Sequence, residues 1–353
     1  MTLRRPFLAV LLALAMLISA CSGGTTSGSG TTTSPAPAAG TTLTVYSAGG
    51  LGAWYTTQFG KFTADTGIKV NVVEGGSGEL VSRVEAERSD PKADLIVVLP
   101  PFIQKAAKSG LLQPSDVDTT GITSQLVGPA AIYVPIVDNA LSFIANPAAA
   151  PQPATWEDLL KPEFKGKLQY STPGQAGDGT AVLLLLQHLM GRSAALDYLT
   201  RLQANNVGPA ASTSALQPKV NSGDLLVANG DVQMNLASIK HDGSAFSIFF
   251  PAMPDRTRTT IAIPYVAGVT ADSRHAEEAK RLLTFLVSAD VQKTVYDEAF
   301  GIPVLDAVAQ QKPDGVQTAT TLLKGVTVWE PEWTDVLGEL DYDVAAYQKA
   351  IAR

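Results

Sequence analysis

The chain has 353 residues, 45% of them hydrophobic and 17% charged, which indicates a globular protein of about two domains rather than a disordered one. Its net charge of −7 and the absence of any basic run argue against nucleic-acid binding, so no nucleic-acid partner is expected. One cysteine excludes an internal disulfide and a cysteine-based zinc site. With only three histidines as well, we expect no bound metal.

The N-terminal residues predict an export signal. Arg4 and Arg5 precede an apolar stretch at 7–18, which has the length of a secretory signal peptide and is short for a membrane span. The stretch ends in Ile18-Ser19-Ala20-Cys21, which resembles the lipobox of bacterial lipoproteins. We therefore expect a lipoprotein signal peptide over 1–20 and lipidation at Cys21. A signal peptide with an incidental cysteine is the alternative.

The segment after the cysteine predicts a tether. Residues 22–41 contain only Ser, Gly, Thr, Pro and Ala, a composition that cannot bury apolar surface. We expect 21–41 to be the lipidated cysteine and a flexible linker. The protein would then be extracytoplasmic and attached to the cell membrane through its lipid.

Strand and helix patterns alternate after the linker. Apolar runs predict strands at 43–46, 68–73 and 93–99. Helical spacing predicts helices between them, at 51–62, 79–88 and 102–109. This order is typical of a parallel sheet with helices on both faces.

A second α/β unit follows. Further strands are predicted at 131–137, 140–145, 168–171, 232–236 and 247–250, with a return crossing at 261–269. Helices are predicted at 156–160, 180–190 and 275–287, the last with Ala279, Leu282, Leu283 and Leu286 facing inward. The C-terminal part, with Trp329 and Trp333, is expected to pack back on the first lobe. The predicted division is lobe 1 at 42–137, lobe 2 at 138–262 and a return to lobe 1 at 263–353.

Three Gly- and Ser-rich loops each link a strand to a helix, at 47–50, 75–78 and 172–179. The first amides of a helix lack intrahelical partners and carry a positive dipole, so such loops suit an anion without any basic residue. Ligands in open α/β sheets bind at the carboxyl ends of strands. Ordinary turns would also be rich in these residues.

Catalytic motifs are absent from the sequence. The run 75–79 lacks the final glycine of a hydrolase elbow, and 177–182 lacks the third small residue of a dinucleotide fingerprint. His188 and His275 suit structural or solvated roles, while His241 suits a surface loop or the edge of a cleft. We expect no enzyme and no cofactor, with an enzyme on the same fold as one alternative and a structural surface lipoprotein as another.

Several stretches resemble a known family. LTVYSAGG at 43–50, FTADTGIKV at 62–70 and EGGSGEL at 74–80 look like the type II periplasmic binding proteins, particularly their ferric-binding relatives. DLIVVLPPFI at 94–103, YSTPGQAGDGT at 170–180 and NLASIKHD at 235–242 resemble the 2-aminoethylphosphonate-binding members. The resemblance implies a two-lobed type II periplasmic-binding-protein fold, in which two Rossmann-like α/β lobes are joined by a two-strand hinge around a ligand cleft.

The resemblance also implies site residues. It places phosphonate contacts at loop hydroxyls and amides, namely Ser47, Ala48, Gly49, Ser77, Gly78, Thr172, Gly177, Asp178, Gly179, Thr180, Ser238 and Tyr265. The ammonium of 2-aminoethylphosphonate needs a carboxylate, a carbonyl or an aromatic face. Candidates for that role are Asp178, Asp242, Trp54, Tyr55 and Tyr265.

The implied function is solute capture for an ABC importer. The ligand, 2-aminoethylphosphonate or a related organophosphonate, would be enclosed by lobe closure and passed by a monomeric protein to a permease with its ATPase subunit. A ferric-iron or other oxyanion carrier is the alternative. Iron-binding relatives commonly carry two adjacent tyrosines and a histidine near the first loop, whereas none of the nine tyrosines here are adjacent and Gly49 takes the histidine position.

Overall fold

The computed structural model describes residues 40–123, 125–313 and 317–352. The signal peptide predicted over 1–20, Cys21 and most of the predicted linker lie outside these residues. Within the described ranges, no helix combines the length and the apolar character that a membrane crossing requires.

The described part of the chain alternates strands and helices. The strands are β1 (Thr42–Ala48), β2 (Lys69–Gly75), β3 (Leu95–Val98), β4 (Leu112–Gln113), β5 (Val134–Val137), β6 (Leu141–Ala145), β7 (Leu168–Gln169), β8 (Val227–Asp231), β9 (Ser247–Phe249), β10 (Thr259–Ile261), β11 (Tyr265–Thr270) and β12 (Thr327–Trp329). The helices are α1 (Gly52–Thr66), α2 (Ser77–Ala86), α3 (Phe102–Lys108), α4 (Gly177–Met190), α5 (Arg192–Leu202), α6 (Gln217–Ser222), α7 (Val232–His241), α8 (Ala276–Leu286), α9 (Ala289–Gln292), α10 (Asp306–Ala309), α11 (Ala319–Leu322) and α12 (Trp333–Ile351). Short 3₁₀ turns lie at Pro129–Ala131, Asp158–Leu160 and Pro162–Phe164, and a π-helical turn lies at Val295–Ala299.

The first sheet has the strand order β2-β1-β3-β11-β4, with β5 also paired to β11. Strand β1 runs parallel to β2 and β3, and every residue of β3 is buried, as in a strand covered on both faces. Strand β11 runs antiparallel to β3, β4 and β5. The prediction of a parallel sheet therefore holds for the first three strands, whereas the returning strand makes the sheet mixed.

The second sheet has the order β7-β8-β6-β9. Strand β7 is parallel to β8, whereas β6 is antiparallel to both β8 and β9. The chain passes between the sheets along two adjacent segments, where Ile263 N donates to Asn139 O at 2.9 Å. The two-lobed α/β fold with a two-strand hinge is confirmed.

Two helices carry the apolar faces that their spacing predicts. Helix α1 buries Tyr55, Phe59 and Phe62, which lie three or four residues apart. Helix α8 buries the inward set predicted for it, Ala279, Leu282, Leu283 and Leu286.

One predicted strand is wrong. Residues 232–236 begin helix α7, and the strand is the preceding segment β8. Asp231 ends that strand and caps the helix, because its side chain accepts a hydrogen bond from Met234 N at 2.6 Å. The glycine-rich loop is also shorter than predicted, since α4 begins at Gly177 and takes 177–179 into its first turn.

The C-terminal segment contacts both lobes. Strand β12 pairs in parallel with β10, and the Trp329 ring stacks on His188 of α4 at 4.0 Å. Helix α12 packs against α5 and α3. It bonds to the second lobe through the hydroxyls of Tyr347 and Tyr170, which lie 3.0 Å apart.

Candidate functional site

Polar groups of the two lobes meet beyond the carboxyl ends of β1 and β8. From the first lobe come the turn at 47–50 and the start of α2, and from the second come the start of α4 and the segment 211–214. These groups are in direct contact. Gly78 N donates to Gln175 O at 2.8 Å, and Gln233 Nε2 donates to Gly50 O at 3.0 Å. The carboxyl ends of strands are where open α/β sheets bind ligands.

Glycines allow the lobes to approach closely. A Cβ added at Gly76 would lie 2.2 Å from Ala211 O and 2.6 Å from Gln175 O, both in the second lobe. A Cβ at Gly78 would lie 2.1 Å from Gly174 O. Any larger residue at these positions would push the backbone of one lobe away from the other.

Two carboxyl groups are buried at this junction, Asp178 in the first turn of α4 and Asp231 at the end of β8; we call them the buried carboxyl pair. Asp178 Oδ2 accepts a hydrogen bond from the Thr213 hydroxyl at 2.9 Å. Burial first, and the nearby charge of Asp231 second, raise the pKa of Asp178 to about 8. Burial likewise raises the pKa of Asp231 to about 6. Both groups therefore hold protons more tightly than an exposed aspartate.

The Tyr265 hydroxyl lies within hydrogen-bond distance of Asp231 and of groups from both lobes. It lies 2.9 Å from Gly49 O, 3.1 Å from Asp231 Oδ2 and 3.0 Å from Gln233 Oε1. Burial raises the pKa of the Tyr265 phenol well above its ordinary value, with the Asp231 charge as the next cause. The phenol therefore stays protonated and can donate to one of these three oxygens at a time.

A second buried network lies on the other side of Asp178. Thr213 Oγ1 is 2.9 Å from Ser171 Oγ, and Asn229 bonds both the backbone amide and the hydroxyl of Ser171. In the first lobe, Ser47 Oγ lies 3.1 Å from the Tyr55 hydroxyl and donates to Ala48 O at 2.8 Å. These bonds fix the side chains that surround the buried carboxyl pair.

A cavity of about 260 Å³, here called the interlobe cavity, opens beside these networks. Its lining comes from both lobes and comprises Gly50, Gly52, Ala53, Glu74, Ser214, Gln217, Pro218, Met234, Ala237, Ser238, His241 and Asp242. These described lining residues include carboxylates and hydroxyls but neither lysine nor arginine. Burial raises the pKa of Glu74.

The structure brings most of the predicted site residues to the junction. Those at the junction are Ser47, Ala48, Gly49, Ser77, Gly177, Asp178 and Tyr265. Two others, Ser238 and Asp242, line the interlobe cavity. Tyr55 reaches Ser47, as described above. The amide of Gly78 is already bonded to Gln175, so in this closed arrangement it is not free to bind an anion.

Four predicted residues have internal roles instead. Thr172 Oγ1 accepts from Ala210 N at 3.0 Å, and Thr180 Oγ1 accepts from Gly174 N at 2.9 Å, so both shape the loop. Gly179 lies against Ser171, where an added Cβ would be 2.0 Å from the carbonyl oxygen. Trp54 donates its indole N–H to Thr294 at 2.9 Å and thereby anchors α1.

Sequence reasoning missed several polar groups at the junction. These are Glu74, Ser171, Ser212, Thr213, Ser214, Asn229, Asp231 and Gln233. The hydroxyl run 212–214 before α6 was a usable signal, since it resembles the other loops that precede helices. Among the residues that the structure describes, no group of three or more His, Cys, Asp or Glu side chains could hold a metal ion.

Comparison with known proteins identifies the family. The family described as "Bacterial extracellular solute-binding protein" matches residues 47–293, which include the second sheet, the hinge and the first sheet except most of β1. The chain belongs to this family. Its members bind solutes, and the polar junction described above is where this solute-binding protein brings its two lobes together.

Individual relatives support the same conclusion. The solute-binding protein is 45% identical over 313 residues to a Salmonella typhimurium protein named "Putative 2-aminoethylphosphonate-binding periplasmic protein", a match covering 87% of this chain and 91% of the relative. It is 26% identical over 267 residues to the Iron uptake protein A1 of Synechocystis, covering 72% and 73% of the two chains. The solved structure of the periplasmic binding protein P5PA matches with a TM-score of 0.74 at 20% identity, covering 88% of this chain and 99% of that one. The predicted resemblance to periplasmic binding proteins is confirmed.

Proposed function

We propose that this protein captures 2-aminoethylphosphonate, or a closely related organophosphonate, outside the cytoplasm and delivers it to an ABC permease with its ATPase. The observation that carries the proposal is the match to the Salmonella protein, because it is 45% identical over 313 residues and covers 87% of this chain. We also propose that the protein binds and delivers this ligand without catalysing a reaction.

The chemistry of the junction supports a ligand with charges of both signs. Hydroxyl groups and helix starts from both lobes favour an oxyanion. Carboxylates in the same region favour a cation, and the described lining of the interlobe cavity has no lysine or arginine to neutralise them. A simple dianion such as sulfate would meet these carboxylates unfavourably, whereas a zwitterion would not.

Lobe closure is the mechanism we propose for capture. The ligand would bind between lobes that have moved apart, and contacts to both lobes would favour the closed form. The lobes would be formed by 42–137 with 263–353 and by 138–262. The phosphonate contacts would come from Ser47, Ser77 and the other loop residues that the resemblance implies.

The N-terminal segment would keep the protein at the membrane. We propose that cleavage after residue 20 exposes Cys21 for lipidation and that 22–41 acts as the tether. A monomer held in this way would remain close to its permease.

Calorimetric titration of the full-length protein tests the ligand. We expect 2-aminoethylphosphonate to bind with a Kd near micromolar or tighter, about −8 kcal/mol, and phosphate, methylphosphonate and ferric citrate to bind more weakly. Tighter binding of ferric citrate would replace the proposal with the iron alternative. The absence of heat from all four, with the protein folded, would reject organophosphonate capture.

A further inference from the structure

One carboxylate oxygen at the junction has no partner. Asp178 is only 4% exposed, and its Oδ1 atom is buried without a hydrogen bond to any described residue. The other oxygen, Oδ2, accepts from the Thr213 hydroxyl. A buried polar atom left without a partner is destabilising, so its persistence calls for an explanation.

The other member of the buried carboxyl pair differs in this respect. Asp231 accepts from Met234 N at 2.6 Å and lies 3.1 Å from the Tyr265 hydroxyl, so it caps α7 and holds the hinge strand. Its oxygens therefore serve the fold. Asp178 is the member that retains a free acceptor.

Asp178 also lies where separation of the lobes would expose it. The preceding residue, Gly177, packs against the first lobe, since its added Cβ would be 2.7 Å from Leu99 and 2.9 Å from Ser77 Oγ. Its partner Thr213 is followed directly by Ser214, which lines the interlobe cavity. Separation of the lobes would therefore uncover the first turn of α4.

We infer that Asp178 is the specificity-determining residue for the positive charge of the ligand, and that it accepts a hydrogen bond from a primary ammonium group through its free Oδ1 atom. This inference rests on the proposed function and deepens it. An ammonium group has three donors and a full charge, so it matches a buried carboxylate better than a neutral donor does. Closure around such a ligand supplies Oδ1 with a partner that no described residue provides.

The direct test compares two ligands of the same size. Propylphosphonate replaces the ammonium of 2-aminoethylphosphonate with a methyl group and keeps the phosphonate. We expect the full-length protein to prefer 2-aminoethylphosphonate. Asp178→Asn should weaken 2-aminoethylphosphonate binding by about 10- to 100-fold and change propylphosphonate binding by less than about 3-fold.

Asp65→Asn is the matched control. It makes the same carboxylate-to-amide change at an exposed residue of α1 that is not among the lining residues of the interlobe cavity. We expect this variant to keep the preference for 2-aminoethylphosphonate. Asp242→Asn tests the rival carboxylate of the cavity, and loss of the preference there, with its retention in Asp178→Asn, would overturn the inference.

A second measurement follows proton binding. The titratable groups that face Asp178 are Asp231 at the end of β8 and Tyr265 on β11. Closure around propylphosphonate would bury Asp178 without a cation, and burial raises its pKa to about 8, so the carboxylate should take up a proton near pH 7, whereas an ammonium should keep it ionised. Titrations in buffers of different ionisation enthalpy should therefore show more proton uptake by the parent than by Asp178→Asn with propylphosphonate, and no such difference with 2-aminoethylphosphonate, because the phosphonate of each ligand contributes equally to both proteins.

The outcomes separate the two proposals. If the unsubstituted protein binds neither phosphonate, the proposed function fails. If it binds 2-aminoethylphosphonate but Asp178→Asn retains the preference over propylphosphonate, only the inference fails. The same difference in proton uptake between the parent and Asp178→Asn with both ligands would also contradict it.

Discussion

Most hydroxyl groups between the lobes already form hydrogen bonds with protein atoms. A hydroxyl can bind an anion only if its proton is not used in one of these bonds. Ser47 donates its proton to Ala48 O, so it has no second proton for an anion. Ser77 Oγ instead accepts from Leu99 N at 3.1 Å, which leaves its proton available. Of these two predicted residues, Ser77 is therefore the better phosphonate donor in this arrangement.

Burial of the Asp178 carboxyl in the closed arrangement makes stability depend on pH. Its folded pKa of about 8 lies above the ordinary value of 3.8, so protonation favours the folded state fully below pH 4, and this contribution is lost as the pH rises through 8. Asp178→Asn removes the charge, so we expect its melting temperature relative to the parent to be about 2–4 °C higher at pH 9 than at pH 5. Thermal unfolding at both pH values measures the difference. An equal melting-temperature difference between variant and parent at both pH values would contradict this account.

At the scale of helices, two ion pairs attach α12 to different lobes. Arg192 Nε lies 2.9 Å from Asp343 Oδ1, and the Asp343 side chain is only 4% exposed. Lys105 Nζ lies 2.9 Å from Asp341 Oδ1, but that aspartate side chain is 88% exposed. A buried charge that loses its partner is far more costly than an exposed one.

These pairs give a matched prediction. Arg192→Ala should lower the free energy of unfolding by about 1–3 kcal/mol, because it leaves Asp343 buried without its cation. Lys105→Ala should lower it by less than about 0.5 kcal/mol. Urea unfolding of the two variants compares them directly. Equal losses would mean that the attachment of α12 to α5 is no stronger than its attachment to α3.

The sequence predicts a helix or strand well when its buried residues repeat with the period of that element. Helix α8 was predicted with its inward face because only one side of it is buried. Residues 232–236 alternate apolar and polar side chains, which resembles a strand, but all five are buried. Their polar members bond inside the protein, as Asn235 does with Ser142 at 3.0 Å. The alternation therefore reflected internal hydrogen bonding, and the capping aspartate before it was the better signal.

The candidate site was only partly predictable for a different reason. The loops at 47–50 and 75–78 could be found because they share a local composition. No local sequence pattern distinguishes Asp231, Asn229 and Ser171. They belong to the site because the fold brings them close to Asp178 and Tyr265. Proximity between distant segments follows from the strand order, which the sequence pattern does not specify.

At the scale of the whole molecule, closure depends on the absence of a side chain at Gly76. Its φ of −72° and ψ of 144° suit alanine, so Gly76→Ala should leave the first lobe folded. The added methyl group would lie 2.2 Å from Ala211 O, and a backbone oxygen cannot move aside without its lobe. We expect the variant to stay open and to bind 2-aminoethylphosphonate at least about 10-fold more weakly.

Small-angle scattering with saturating ligand measures the opening, and calorimetry measures the affinity. Gly60→Ala on α1 is the control, since nothing lies within 4 Å of its added Cβ, and it should behave as the parent does. If Gly76→Ala is as compact as the parent and binds the ligand as tightly, closure does not require the close approach of Gly76 to Ala211 O.

The antiparallel strand β11, which lies between β3 and the edge strands β4 and β5 of the first sheet, bears on the order in which the protein can fold. Strand β3 needs β11 as its neighbour, yet β11 is made only after all four strands of the second sheet. The second sheet is contiguous in the chain and can be completed first, while β3 waits with an open edge that could pair with another molecule. A chain released before Tyr265 would therefore contain the complete second sheet and an aggregation-prone first one.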